Sequence, residues 1–314
     1  MKNKVLITGG TGFLGKNVVR LFRENGFRVY SCSRSENNID LLNLSVFQSF
    51  LKKIKPHYLI HCAARVGGIA YNAKYPVEVF EDNIKIGLNV VRACNSVGVK
   101  NFLNIMPNCV YPGDMEEYKE SKWWDGPIHE TVLTYGLPRK MIWGACFAYC
   151  QKNIDFKPVH LIFPNMYGPD DHFDPIRSHA LGALLSKIIK AKKNNKKIVE
   201  IWGDGSPIRE WIYVEDAAQA ILKTIQNLDK FKANEIMNIG IGKGISIKQL
   251  AYLIKNIVGW KGKFVFDKSK PNGAMKKILI ADKMFKIIKW KPSAELKEGI
   301  TKTVILHRKY LKDI

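Results

Sequence analysis

The chain lacks any uninterrupted apolar run approaching the ~20 residues that cross a bilayer, so no membrane-spanning helix is expected. Acidic residues are scarce, with 28 Asp and Glu against 50 Lys and Arg, a net charge of +22 over 314 residues. Such a surface suits nucleic acid, an anionic membrane or small anionic ligands. Helix-turn-helix, zinc-finger and RNP-like patterns are missing, so neither nucleic acid nor membrane is an expected partner. The dense cluster of Lys187, Lys190, Lys192, Lys193, Lys196 and Lys197 reads as a solvated helix end and turn, and an anionic small ligand fits the remaining charge. The six cysteines show no C-x-x-C or Cys/His ligand spacing, which argues for a reducing compartment and against a metal site. Met1-Lys2-Asn3-Lys4 leads straight into Val5-Leu6-Ile7-Thr8 with no apolar export segment, so a cytoplasmic location is expected. What the chain does have is core material. Apolar residues make up 46% and charged residues 25%, the balance of a globular enzyme or binding protein with one elaborate α/β domain, or a large and a small lobe.

Residues 4–8 form a short β-branched run with the look of a buried parallel strand, and residues 16–22 and 28–32 read as the helix and strand that follow. Between strand and helix stand Gly9, Gly12 and Gly15 at three-residue intervals. Glycine there lets the turn tighten, lets backbone approach a pyrophosphate and lets helix pack on strand. The helix N-terminus then offers free N–H groups to phosphate oxygens. Strands at 58–64, 102–106 and 159–163 alternate with helices at 83–97 and 141–152, the rhythm of a doubly wound parallel sheet. After Asn165 that rhythm breaks into Gly/Pro/Asp-rich turns, followed by short strands at 199–202 and 264–266 and helices at 247–258 and 294–306. The expected architecture is therefore α/β. A Rossmann domain spans 1–165 and regains about 211–240, and a smaller α/β substrate-binding lobe takes 166–210 and 241–314.

Several rare combinations resemble the extended short-chain dehydrogenase/reductases, and within them the GDP-L-fucose synthase branch. Ala63-Ala64-Arg65-Val66-Gly67-Gly68-Ile69 resembles the branch's A-A-x-V-G-G-I loop, and Asn108-Cys109-Val110-Tyr111-Pro112 its S-C-I-Y-P turn. Asn165-Met166-Tyr167-Gly168-Pro169 is similar to N-L-Y-G-P, and Ser178-His179 falls in the S-H-V position. Ile201-Trp202-Gly203-Asp204-Gly205 with Arg209-Glu210 resembles W-G-x-G-x-x-x-R-E, and Lys270-Pro271-Asn272-Gly273 with Lys276-Lys277 a late K-P-D-G-x-x-R-K. The match runs nearly end to end.

The resemblance implies hydride transfer between a nicotinamide and C4 of a GDP-linked mannose-type hexose or heptose, of the kind used in building surface polysaccharides. Tyr135 takes the place of the family's acid/base tyrosine. Four residues on, where the family has lysine, stands Arg139; Lys140, one further, points about 100° away around a helix. Arg139 can support a tyrosinate by its charge and hydrogen-bond a ribose, but it cannot relay a proton. Pro107 replaces the family's serine, and Asn108 could supply an amide donor instead. Cys109 and His179 fill the positions the family links to epimerisation at C3 and C5, as groups that change protonation near neutral pH. The expected cofactor contacts are Gly9, Gly12, Phe13, Leu14, Gly15, Arg34, Asp40, Leu41, Ala63, Ala64, Tyr135 and Arg139. Asn165, Lys187, Trp202, Arg209 and Lys277 are expected on the substrate, with Trp202 stacking on guanine or ribose or else filling a core, and Asn83 bonding sugar or backbone. The second strand ends without the acid that grips an NAD ribose. Arg34 leans toward a 2′-phosphate, yet Thr11 stands where the family pairs it with a second arginine, so NAD(H) and NADP(H) both remain open.

Three functions follow from this reading. The first is an NAD(P)-dependent oxidoreductase at C4, in either direction. The second is a C3/C5 epimerase with little net redox, and the third is a degenerate nucleotide-binding relative without turnover. Segments 86–97 and 141–149 are apolar enough to pair two subunits through a four-helix bundle, so a homodimer or higher homo-oligomer is expected.

Overall fold

The computed structural model describes residues 2–115, 117–174 and 177–310. In chain order the first stretch holds β1 (Lys4–Thr8), α1 (Phe13–Glu24), β2 (Arg28–Cys32), the one-turn α2 (Arg34–Asn37), α3 (Leu44–Ile54) and β3 (Tyr58–His61). Next come α4 (Ile69–Lys74), α5 (Pro76–Val97), β4 (Asn101–Pro107), α6 (Leu133–Cys150) and β5 (Lys157–Phe163). Then follow β6 (Asn165–Tyr167), α7 (Ala180–Lys193), β7 (Ile198–Trp202), β8 (Ile208–Arg209), β9 (Trp211–Tyr213), α8 (Val214–Gln226) and β10 (Glu235–Asn238). The last elements are β11 (Ile245–Ser246), α9 (Ile247–Val258), β12 (Lys263–Asp267), β13 (Lys276–Lys277), α10 (Asp282–Ile288) and α11 (Leu296–Tyr310).

Six strands form one parallel sheet in the order β10-β5-β4-β3-β1-β2, a Rossmann-type doubly wound arrangement. Because successive side chains point to opposite faces of a strand, Val5 and Ile7 enter one core with α1, α8 and α10, while Leu6 between them enters a second with α3, α5 and α6. The strand order reverses between β1 and β3, and the crevice at the carboxyl ends of strands on either side of such a point is where this architecture binds ligands. A third core joins α7, α9 and α11 to the parallel pair β7–β12.

Two boundaries differ from the sequence expectation. Helix α5 starts at Pro76 rather than 83, because a proline at the first helical position sacrifices no hydrogen bond. Helix α6 starts at Leu133 rather than 141 and carries Pro138 inside it. A proline there removes one backbone bond and disguises the helix, yet the turn persists and puts Tyr135 and Arg139 on one face at i and i+4. Helices α5 and α6 pack closely through Gly87, where a methyl group would come within 2.4 Å of Ile142 Cγ1. No helix among the described residues is long and apolar enough to cross a membrane.

Candidate active site

At the end of β1, Gly9 holds φ +71°, a left-handed conformation that glycine enters without strain, and a Cβ on it would come 2.9 Å from Ala63 Cα. A Cβ on Gly15 would come 2.0 Å from the Gly9 carbonyl oxygen. Gly12 begins α1 and has no side chain to cap it, so the first helical N–H groups are left for a ligand beside the lining residues Phe13 and Leu14. Ala63 and Ala64, past the end of β3, form the opposite wall. Such a cradle fits a dinucleotide's pyrophosphate, and a side chain at Gly9 or Gly15 would collide with the backbone that shapes it.

At the end of β2, exposed Arg34 opens α2 and has no hydrogen-bond or ion-pair partner among the described residues. Glu36, which the sequence reading passed over, lies on the same turn and accepts the Ser31 hydroxyl at 2.8 Å. Thr11 Oγ1 lies 3.2 Å from Ser35 Oγ. Asp40 and Leu41 have local roles: Asp40 Oδ1 accepts from the Leu42 amide at 3.0 Å, and the Leu41 carbonyl accepts from Asn89 at 2.9 Å.

From this cradle a cavity of about 390 Å³ runs to Arg209 of β8 and Lys277 of β13. Its lining brings together Tyr135, Arg139, Asn108, Cys109, His179, Asn165, Arg209 and Lys277. Lys187 and Trp202 lie outside that lining. Lys187 faces solvent on α7 and donates to the Glu200 carbonyl at 3.1 Å, because the helical phase that buries Leu184, Leu185 and Ile188 turns it outward. Trp202, 45% exposed, ends β7 with the Lys270 ammonium over its ring. Asn83 is buried and bonds backbone only, accepting from Arg65 N at 3.1 Å and donating to Arg65 O at 2.9 Å, which fixes the loop after β3.

Beneath Tyr135 the polar chemistry continues into the sheet. Arg139 is 1% exposed and its guanidinium lies among the strand ends. Nη1 donates to the Ala63 carbonyl at 3.3 Å and lies 3.4 Å from His61 Nε2. Nη2 donates to Asn104 Oδ1 at 3.5 Å and to the Ile105 carbonyl. The bonding runs on through His61 Nδ1 to Thr8 Oγ1 at 2.8 Å. On the other side, Asn104 Nδ2 reaches His160 Nδ1 at 3.1 Å, and His160 Nε2 reaches Asn234 Oδ1 at 2.8 Å. Because guanidinium and amide N–H groups only donate, His61 Nε2 and His160 Nδ1 must both be bare acceptors. Burial, helped by the Arg139 charge, accordingly holds His61 well below the usual imidazole range, and burial brings His160 down to about 4. Burial pushes the Tyr135 phenol up to about 12, with Arg139 opposing that rise.

Two buried donors in this region have no partner among the described residues: Asn108 Nδ2 and Arg139 Nε, both on residues that line the cavity. Asn108 Oδ1 lies 3.9 Å from Cys109 Sγ. His179 stands just before α7 without a side-chain capping bond, and burial, with His172 adding to it, lowers its imidazole. Asp171 also lines the cavity, a site residue the sequence reading missed; burial raises its carboxyl to about 7. Behind the cavity lining, fully buried Glu210 accepts the backbone N–H groups of Ile241, Gly242 (2.9 Å) and Leu279 (2.7 Å). That carboxylate staples three segments together and thereby sets Arg209 beside it and Lys277 two residues from Leu279. No group of His, Cys, Asp or Glu among the described residues could hold a metal ion.

The profile of the family described as the NAD dependent epimerase/dehydratase family matches residues 5–240. The GDP-L-colitose synthase of Yersinia pseudotuberculosis is 34% identical over 301 residues, covering 96% of each chain. The GDP-L-fucose synthase of Azorhizobium caulinodans is 32% identical over 301 residues, covering 96% of this chain and 95% of that one. Among solved structures, a GDP-6-OMe-4-keto-L-xylo-heptose reductase from C. jejuni superposes with a TM-score of 0.90 at 28% identity, covering 100% of this chain and 99% of the other. A GDP-mannoheptose C4 reductase from Campylobacter jejuni with NADP bound gives 0.85 at 28% identity, covering 98% of each chain.

Proposed function

This chain belongs to the NAD dependent epimerase/dehydratase family, as an NAD(P)-dependent enzyme of the extended short-chain dehydrogenase/reductase type, and we propose that it reduces a C4 keto group on a GDP-linked mannose-type hexose or heptose. The observation that carries this reading is the pair of unpartnered buried donors, Asn108 Nδ2 and Arg139 Nε, on residues that share the cavity with Tyr135. A buried amide without an acceptor costs about 1–3 kcal/mol, and a ligand oxygen reaching either donor would relieve that cost. Asn108 would donate to the C4 oxygen in place of the hydroxyl that Pro107 cannot offer. Tyr135, held protonated by burial, would give its proton to that oxygen as negative charge develops on it, and the fixed Arg139 charge would stabilise the tyrosinate left behind. A bound reduced nicotinamide supplies hydride chemistry. Gly9, Gly12 and Gly15 would admit its pyrophosphate, and unpaired Arg34 would face a 2′-phosphate, which favours NADPH. Arg209 would face the substrate's diphosphate.

The test is to mix the purified chain with NADPH and a GDP-4-keto-sugar and follow the reduced-nicotinamide absorbance and the product mass. Oxidation of NADPH with a product heavier by two hydrogens is expected, and Tyr135→Phe should cut kcat about 10³-fold. If no GDP-4-keto-sugar consumes either reduced cofactor, the proposal fails. A second reading, proton exchange at C3 or C5 by Cys109 and His179, is favoured by their meeting in the same cavity. Cys109→Ala abolishing entry of solvent deuterium into the 4-keto sugar would support it, and unchanged entry would refute it.

A further inference from the structure

Lys277 belongs to the two-residue strand β13, which runs parallel to β8 and places Lys277 opposite Arg209. It is 8% exposed, lines the cavity, and its Nζ lies 3.7 Å from Cys109 Sγ. That sulfur is its hydrogen-bond partner, and no carboxylate lies within salt-bridge distance of it among the described residues. An ammonium withdrawn from water is costly unless an anion accompanies it. The thiol in contact with Lys277 can become that anion. Cys109 is itself held in place, because the Cys109 carbonyl oxygen would lie 2.5 Å from any Cβ built on Gly136 of α6, a contact only glycine permits. The charged and titratable groups facing Cys109 are Lys277 on β13, Arg209 on β8, Tyr118 on the loop after β4, and Tyr135 on α6.

We propose that Lys277 is a positioning residue for Cys109, an ammonium whose charge holds the thiolate that exchanges a proton with a carbon beside the sugar's keto group. The pairing itself rests on this geometry, and its use on a sugar rests on the second reading above. In that step the C–H bond breaks, an S–H bond forms at Cys109, and the electron pair moves onto the carbonyl oxygen as an enolate. Return of a proton, from Cys109 or from His179 in the same cavity lining, re-forms the C–H bond and returns the pair from oxygen. Nothing is oxidised or reduced. This assignment takes Lys277 away from the substrate-binding role expected from sequence.

The test needs no substrate. The full-length protein is treated with iodoacetamide across a pH series, and modification of Cys109 is followed by peptide mass mapping. The other five thiols serve as slow internal references. Burial, with Glu36 adding to it at Cys32, pushes Cys32 and Cys62 up to about 12, and burial also raises Cys94, Cys146 and Cys150. Lys277→Met and Lys277→Gln should each slow Cys109 modification at neutral pH about tenfold, and Lys277→Arg should keep it near the wild-type rate. Unchanged modification in the Met and Gln variants overturns the pairing, most plainly if those variants weaken GDP binding instead. An arginine variant as slow as the methionine variant also overturns it, since charge would then not be the cause. If Cys109 responds to Lys277 while no deuterium enters a 4-keto sugar, the exchange reading falls and the pairing stands. If Cys109→Ala abolishes exchange while Lys277→Met leaves modification unchanged, the pairing falls and the exchange reading stands.

Discussion

The base of the cavity and its outer approaches are built on opposite terms. At the base, Arg139 is withdrawn from water, donates to two backbone carbonyls and the Asn104 side chain, and lies 3.4 Å from the His61 acceptor nitrogen. At the approaches, Arg34 has no partner among the described residues, Trp202 is half exposed, and Lys187 touches a single carbonyl from solvent. Electrostatic effects are strong where water is excluded and weak where it is not. A residue at the base also cannot be removed alone, because its buried acceptors are then stranded, whereas a residue at the approaches leaves only water behind. The two regions should therefore answer mutation on different scales.

The widest separation is expected at Arg139. Arg139→Met removes the charge beside Tyr135 and strands four acceptors, so kcat should fall about 10²- to 10³-fold and the thermal midpoint should drop with it. Arg139→Lys should land between, since three donors on a flexible stem cannot match a fork with four acceptors. Steady-state kinetics and thermal melts of both variants decide the point, and an Arg139→Met enzyme with wild-type kcat would erase the contrast. The next effect is on stability. His160 titrates near 6.5 in an unfolded chain and at about 4 here. Between those values the unfolded state binds more protons, so stability falls as pH drops through 6.5 toward 4. At pH 4 the accumulated loss should reach about 3 kcal/mol relative to His160→Gln, by 1.36 kcal/mol per unit. Denaturant melts at a series of pH values measure it, and parallel curves for the two proteins would contradict it.

That base is also the part of the molecule least legible in the chain. The glycine turn is local, so spacing alone exposes it, and the i, i+4 relation of Tyr135 to Arg139 is visible once a helix is granted. Nothing local links Arg139 to His61, 78 positions away, or to Asn104, 35 away. Those contacts exist because β3 and β4 are adjacent in the sheet, and strand order follows from how hydrophobic faces pack rather than from any short pattern. Lys277 meets Cys109 across 168 positions for a similar reason, through the staple at Glu210. Lys187 is the opposite case. Its family position suggests a ligand contact, but the helical phase that buries Leu184 and Ile188 decides where it points.

The smaller effects belong to the approaches. Arg34→Ala should lower the preference for NADPH over NADH about tenfold, since one exposed guanidinium on a 2′-phosphate contributes on the order of 1–2 kcal/mol. The ratio of kcat/KM for the two cofactors reads this directly, and an unchanged ratio would move discrimination to Glu36 or Thr11.

Lys187→Ala should do least of all. Among the described residues its ammonium meets the Glu200 carbonyl alone, its side chain is exposed, and it lies outside the cavity lining. A solvated contact of this kind is worth within about 0.5 kcal/mol, so KM for the GDP-sugar and the thermal midpoint should both stay at wild-type values. A several-fold rise in KM would mean that the smaller lobe swings Lys187 onto the diphosphate when substrate binds. In that case the approaches would not be passive surroundings to a fixed base, but a second set of groups brought into place by the ligand.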